Sequence, residues 1–199
     1  MLDEFKSKKL IIVISSPSGA GKTSICKRLL EDDSKLNISI SDTTRLPRAN
    51  EINGKDYNFI SRKKFENRIK KNDYIEYAYV FGNYYGSLHH EVRMLLDNSY
   101  DVLFDIDWQG AMQLKNSNYP NILTIFIVPP SKEAIYQRLK LRAKKSGDDE
   151  LAIANRMSMY DTEMSHKNDY DYIIENNNFE ICISEIKKII TKSRYKLYS

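Results

Sequence analysis

The sequence predicts an α/β fold built on a parallel sheet, and three observations carry that prediction. Residues 10–14 form a short, β-branched, strongly apolar run, followed at once by a glycine-rich turn and a helix-patterned segment. Further strand-like runs at 102–107 and 122–128 alternate with helix-patterned stretches. Between these blocks, residues 37–90 break the alternation with a polar, tyrosine-rich texture that reads as an insertion. A chain of 199 residues has room for one sizeable core and such an insertion.

The elements follow in order. Residues 10–14 read as a buried central strand, because helices need longer periodic runs. A helix is expected over 22–32, where Ile25, Leu29 and Leu30 line an apolar stripe. Within the insertion, short strands are expected at 38–41 and 57–60, and Asn53-Gly54 marks a turn. The alternating stretch 75–81 is either a strand or an aromatic-rich edge. The α/β pattern resumes with a helix at 91–96, a strand at 102–107 ending in two carboxylates, a helix around 110–115 and an apolar strand at 122–128. Pro129-Pro130 stops that strand, and Ser131 is placed to cap the next helix with Glu133 in its first turn. That helix runs toward Lys145 and a Ser146-Gly147-Asp148-Asp149 interruption, and another spans 150–163. A last core strand at 170–174 precedes a C-terminal helix, with Cys182, Ile186, Ile189 and Ile190 on its buried stripe.

Composition narrows the function classes. No apolar run approaches the roughly 20 residues that cross a bilayer, and the first residues lack the basic-then-apolar order of a secretory signal. A cytoplasmic protein is expected, with Cys26 and Cys182 as buried thiols. The net charge of +4 fits an anionic ligand as well as it fits a plain solvated surface. The fourteen tyrosines show no stacking repeat, and two Cys with three His offer no zinc-ligand spacing. Neither a nucleic-acid partner nor a membrane is expected.

Local chemistry is sharper. Ser16-Pro17-Ser18-Gly19-Ala20-Gly21-Lys22-Thr23 matches the P-loop pattern, with Ser16 at the first glycine position. Gly19 and Gly21 let the backbone fold tightly enough for successive N–H groups to face phosphate oxygens. The helix that follows presents its positive end to the same anion. Lys22 is placed to reach β- and γ-phosphates, and Thr23 to hold Mg²⁺ or its bound water. The strand before and the helix after make a P-loop NTPase-type core the expected fold.

Two other groupings accompany it. Asp105 and Asp107 lie two apart at a strand end and are expected to share a face. There they serve Mg²⁺, a cationic side chain or the acceptor, or they simply cap the strand end. Arg45 and Arg48, three apart around Pro47, offer two guanidinium forks suited to a second phosphate. Taken alone the pair is equally a solvated patch; beside Gly82-Asn83-Tyr84-Tyr85-Gly86-Ser87 a small-molecule phosphate pocket is favoured.

The P-loop, Ser41-Asp42-Thr43-Thr44-Arg45-Leu46-Pro47-Arg48, Gly54-Lys55-Asp56-Tyr57-Asn58-Phe59, the Gly82–Ser87 string and Asp105-Ile106-Asp107-Trp108-Gln109-Gly110 occur together in the order and spacing of guanylate kinase. The chain resembles that family from about residue 10 to about residue 192. The resemblance implies phosphoryl transfer from MgATP to GMP. It also implies three mobile parts: a core (1–37, 92–135 and 160–199), an inserted mixed α/β GMP-binding lobe (38–91) and a helical lid (136–159). By matching position, ATP meets Ser16, Pro17, Ser18, Gly19, Ala20, Gly21, Lys22, Thr23, Ser24 and Asn176. The GMP phosphate meets Arg45, Arg48, Tyr57 and Tyr85, with Glu51 beside Arg48. Ser41, Glu76 and Ser87 approach guanine, and Asp107 lies near the nucleoside. Mg²⁺ is served by Thr23 and, through water, by Asp105. Lys22, Arg138, Arg142 and Arg156 are the catalytic cations.

The sequence departs from the family at Ser16, at Ala49-Asn50, and in the lid, where residues 142–149 are longer than the usual turn. A monomer or small homo-oligomer acting on ATP and GMP, and also on dGMP, is expected. Two readings compete: another P-loop small-molecule kinase with a different acceptor, against which Glu76 and the Asn83–Ser87 string argue, and a guanylate-kinase-like interaction module without catalysis. Such a module is expected to lose the P-loop lysine or lid arginines, which are kept here.

Overall fold

The computed structural model describes residues 8–48, 51–146 and 149–198. The opening residues, Ala49-Asn50 and Gly147-Asp148, on which some expectations fall, lie outside them. So do the side chains of Lys144 and Lys145. The chain opens with β1 (Ile11–Ser15), all five residues buried, then the phosphate-loop segment and α1 (Lys22–Asp32). There follow β2 (Leu36–Ile38), β3 (Asp42–Thr43), β4 (Asn58–Phe59), α2 (Arg62–Lys70), β5 (Tyr74–Val80) and β6 (Asn83–Leu88). Then come α3 (His89–Asp97), β7 (Asp101–Asp105), α4 (Trp108–Lys115) and β8 (Ile122–Val128). The last elements are α5 (Lys132–Ser146), α6 (Glu150–Ser158), α7 (Tyr160–Ser165), a 3₁₀ turn (His166–Asp169), β9 (Tyr172–Glu175) and α8 (Phe179–Lys196).

The core sheet runs β2-β7-β1-β8-β9 and is parallel throughout. Strand side chains alternate between faces, so β1 feeds two separate cores. Ile12 and Ile14 pack with Ile25 and Leu29 of α1 and with Cys182, Ile183, Ile186 and Ile190 of α8. Ile11 and Val13 pack on the other face with Val92 and Leu96 of α3 and Ala111 and Leu114 of α4. Each such fully buried aliphatic contributes about 1.5–3 kcal/mol by removal from water, so helices on both faces hold the sheet rigid. Leu30 and Ile189 lie at the margin of the first cluster. Both cysteines are free and buried.

The second sheet, β4-β3-β6-β5, is mixed: β3 runs parallel to β4 and antiparallel to β6. It is backed by α2, where Phe65 stacks on Tyr74 and Tyr84 at centroid distances of 4.4 and 5.0 Å. In this sheet the fully buried Asp42 accepts hydrogen bonds from Arg68 and from the Tyr74 hydroxyl.

Several boundaries differ from expectation for physical reasons. Residues 38–41 are not one strand. Ser39 N–H still bonds Leu103 in the core sheet, whereas Ser41 C=O already serves Asn58 in the second, so the segment hands the chain between sheets. β7 stops at Asp105, and Asp107 lies beyond it as the N-cap of α4, accepting from Gly110 N–H at 3.0 Å. The two carboxylates therefore do not share a strand face. Residues 150–163 split into α6 and α7 around Met159. Ser131 Oγ does accept from Ala134 N–H at 3.0 Å, as the capping pattern predicts.

Candidate active site

The loop from Ser16 to Thr23 joins β1 to α1. Gly19 and Gly21 adopt φ of 92° and 101°, a region that side-chain-bearing residues rarely enter. A Cβ at Gly21 would also come within 2.9 Å of Asn176 Nδ2. That amide donates to Ala20 C=O at 2.9 Å, and Arg138 Nη1 donates to the same oxygen at 3.1 Å. Asn176 thus props the loop directly. Ser16, in place of glycine, turns its hydroxyl onto Pro17 C=O at 3.0 Å.

Lys22 is anchored at the end of β7. Its Nζ lies 3.0 Å from Asp105 Oδ1 and donates to Ile106 C=O at 2.7 Å. Burial works against its charge, but Asp105, with smaller contributions from Cys26 and Asp107, holds its pKa above the ordinary value. Asp105 Oδ2 accepts from Thr23 Oγ1 at 2.9 Å, so one carboxylate joins the lysine and the hydroxyl. Thr23 and Ser24 are exposed at the first turn of α1.

A second cationic cluster stands on the inserted sheet. Arg45 grips Glu51 with two parallel bonds of 2.9 and 2.8 Å, and Arg48 N–H donates to Glu51 Oε2 at 2.8 Å. Burial would raise the Glu51 carboxyl, but Arg45 and the Arg48 N–H hold it below its usual range. Arg45 lies over the Tyr57 ring at 5.4 Å, and Tyr57 meets Tyr85 edge-on at 5.9 Å. Burial pushes the Tyr57 hydroxyl up, and the Asp105 charge adds to this, which ties the cluster electrostatically to the loop side.

Glu76 is 2% exposed and its Oε1 has no hydrogen-bond partner among the described residues. Burial raises its carboxyl to about 7; Ser87 opposes this, Asp107 adds to it and Lys22 opposes it. A register shift in β5 between Tyr74 and Glu76 accompanies this placement. The Ser41 and Ser87 hydroxyls meet at 3.1 Å beside it. Asp107 is fixed by Gly110 N–H and by Gln109 Nε2, each at 3.0 Å.

The helices after β8 close over the loop. Ala20 packs with Ile135, Leu139 and Ile153, which seats α5 and α6 on it. Arg142 lies one turn beyond Arg138 on α5 and is half-buried. Arg156 Nη1 donates to Ser18 Oγ at 3.1 Å, and its guanidinium lies 4.9 Å over Phe81. Phe81 and Gly82, with φ of 48° and 80°, form the two-residue hairpin between β5 and β6.

Glu163, which the sequence reading did not single out, is buried on α7 and accepts from Ser18 N–H at 3.1 Å. Burial raises its carboxyl, and the Ser18 N–H opposes the rise. Its only sequence signal is an acid at the end of a helix pattern, where solvent is the usual neighbour. Trp108, at the start of α4, stacks on His166 at 3.6 Å and 8°.

Arg138 and Arg156 thus contact the loop directly, at Ala20 and Ser18, while Glu76 and the arginine pair belong to the inserted segment. Known proteins resemble the chain along nearly its whole length. The guanylate kinase family model matches residues 7–193. Guanylate kinase of Rickettsia felis is 48% identical over 193 residues, 97% of this chain and 98% of its own length. That of Rickettsia bellii is 49% identical over 191 residues, 96% and 98% of the two chains. The crystal structure of guanylate kinase from Anaplasma phagocytophilum superposes with a TM-score of 0.77 at 33% identity, covering 94% of this chain and 86% of that one. With a phosphate loop between β1 and α1, and relatives alike from end to end, the chain belongs to the guanylate kinase family.

Proposed function

We propose that this protein transfers the γ-phosphoryl group of ATP to GMP, giving ADP and GDP, and accepts dGMP less well. The observation that carries this reading is the buried Glu76 carboxylate, whose Oε1 has no hydrogen-bond partner among the described residues, in a chain that also has the phosphate loop and the Arg45–Glu51–Arg48 cluster. Guanine offers N1–H and N2–H₂ on one edge, two donors for one carboxylate. Adenine presents an acceptor at N1 and would leave the charge opposed by a lone pair. A pocket built on such bonds rejects the wrong base strongly.

The remaining roles follow from position. Residues 16–24 hold the ATP phosphates through backbone N–H groups, Lys22 and the α1 N-terminus, while Asn176 supports the loop from behind. Arg45, Arg48, Tyr57 and Tyr85 hold the GMP phosphate, Glu51 fixing the fork of Arg45. Ser41 and Ser87 line the base, and Asp107 the nucleoside. The nucleophile is a phosphate oxygen already anionic near neutral pH, so it needs positioning more than a general base. Lys22, Arg138, Arg142 and Arg156 offset the charge that spreads over the transferring group.

The oxygen donors Thr23 Oγ1 and Asp105, 2.9 Å apart at the loop, suit a hard divalent cation that keeps several waters. Mg²⁺ would be held there by Thr23 and, through water, by Asp105, and when bound it neutralises phosphate charge. The inserted lobe at 38–91 and the lid at 136–159 are read as the moving parts, closing over the site to exclude water. No helix among the described residues is long and apolar enough to cross a membrane.

A coupled assay with MgATP and GMP, dGMP, AMP, CMP or UMP supplied separately tests the reading. GMP should turn over best and dGMP more slowly. Comparable turnover of AMP or UMP overturns it.

A further inference from the structure

Residues of α4 hold the segment of β5 that carries Glu76. β5 is the edge strand of its sheet, so the outward N–H and C=O of alternate residues need partners. At Tyr77 both partners come from one side chain: Gln113 Oε1 accepts the Tyr77 N–H at 3.1 Å, and Gln113 Nε2 donates to the Tyr77 C=O at 2.7 Å. The amide stands in for a missing neighbouring strand. Gln113 Nε2 also donates to Gln109 C=O at 3.2 Å, which fixes the amide's orientation on its own helix.

One residue earlier, Glu76 lies against Gly110. A Cβ at Gly110 would fall inside contact distance of Glu76 Oε2, 3.1 Å from its Cδ and 3.2 Å from Ile106 Cδ1. Gly110 and Gln113 are three apart and share a face of α4. One residue earlier again, Ile75 is buried in the core cluster with Ala111 and Leu114 of the same helix. Three consecutive residues of β5 are thus tied to α4 by an apolar contact, a close backbone approach and a paired amide. The same helix carries Asp107 at its N-cap.

We propose that Gln113 and Gly110 are positioning residues for base selection: together they seat Glu76 at the depth and angle from which its free oxygen reads guanine. The proposal rests on the reading of Glu76 given above. Gln113 acts through the backbone beside Glu76, bonding Tyr77 on both its N–H and C=O. Gly110 acts by leaving room for Oε2, and a Cβ there displaces the carboxylate from its seat.

The test compares GMP with IMP, which lacks the 2-amino group, in the full-length protein, with Gln113→Leu, Gly110→Ala and Glu76→Gln as the variants. Gln113→Leu keeps reach and volume while removing both bonds to Tyr77. It should raise KM for GMP about five- to thirtyfold and lower the GMP:IMP ratio of kcat/KM comparably, because small misplacements of a site group are costly. KM for ATP should stay within about twofold, since the phosphate loop is untouched. Gly110→Ala should show the same split by a different route, so loss of folding in one variant leaves the other to decide. Melting temperature and circular dichroism are recorded for each. Folded variants with an unchanged GMP:IMP ratio, or with equal losses for ATP and GMP, overturn the seat while Glu76→Gln still collapses the ratio. An unchanged ratio in Glu76→Gln removes the reading of Glu76 and the seat with it.

Discussion

Arg156 donates to the Ser18 hydroxyl at 3.1 Å while Glu163 accepts the Ser18 N–H at the same distance, so α6 and α7 grip one loop residue from both ends. Ser18→Ala removes the hydroxyl and keeps the N–H. ATP affinity should fall about three- to tenfold, the scale of one net hydrogen bond, with GMP affinity unchanged. Calorimetry with a non-hydrolysable ATP analogue and with GMP reads both numbers; a matching loss for GMP would mean that Ser18 supports the whole cleft rather than the donor side.

Lys22→Ala should remain folded and lose phosphoryl transfer by about a hundredfold or more, as removal of a group aimed at developing charge does. Lys22 is spent on Asp105 and Ile106 rather than on an apolar core, so folding depends on it little. Circular dichroism with steady-state kinetics checks both halves. Near-normal activity in the folded variant removes Lys22 from the catalytic account.

Glu76→Gln should make the ligand-free protein more stable at pH 8 by roughly 1–3 kcal/mol and change little at pH 4.5. The folded carboxyl titrates at about 7, against 4.5 in its ordinary state. Between those values the folded chain keeps a proton that the unfolded chain has released, so stability falls as pH rises through the window and is level above it. Urea unfolding at several pH values measures the slope, and an identical slope in variant and parent would contradict the assignment. GMP affinity of the parent should rise from pH 6 to pH 8 more steeply than that of the variant, in which only the ligand's phosphate titrates.

Arg45→Ala and Arg48→Ala should each weaken GMP about tenfold or more and leave the ATP analogue within about twofold. Glu51→Gln should weaken GMP less, because Arg45 keeps its charge but loses its clamp on the carboxylate. Titration calorimetry orders the three. If Glu51→Gln were the most damaging, the arginines would be structural and the phosphate would lie elsewhere.

The parallel core was legible from local pattern, because fully buried strands advertise themselves as apolar runs and both helical faces match them. The phosphate loop was legible for a different reason, its glycines being required by backbone geometry. Asp107 was misplaced onto a strand face although the cue to its cap was present: an acid three residues before Gly110, whose N–H it takes. Residues 38–41 were joined into one strand because their apolar spacing hides a change of sheet partner. Least legible were contacts between distant segments. Gln113 on a helix pattern looks like a solvated polar face, and nothing local pairs it with Tyr77, 36 residues away. Glu163 meets Ser18 across 145 residues, and only the folded chain brings them together.

The Trp108–His166 stack gives the molecule an optical property as well as a contact. The chain has one tryptophan among its aromatic residues, so its long-wavelength emission comes from a single, known place. That place adjoins Asp107 at the N-terminus of α4, and the ring beneath it belongs to the segment that leads back from α7 to β9. An indole lying flat on an imidazole emits differently from one that is not, so its emission changes when the two rings slide apart. Relative movement of the returning segment and α4 would therefore register in the emission of the unlabelled protein, on the time scale of the movement itself.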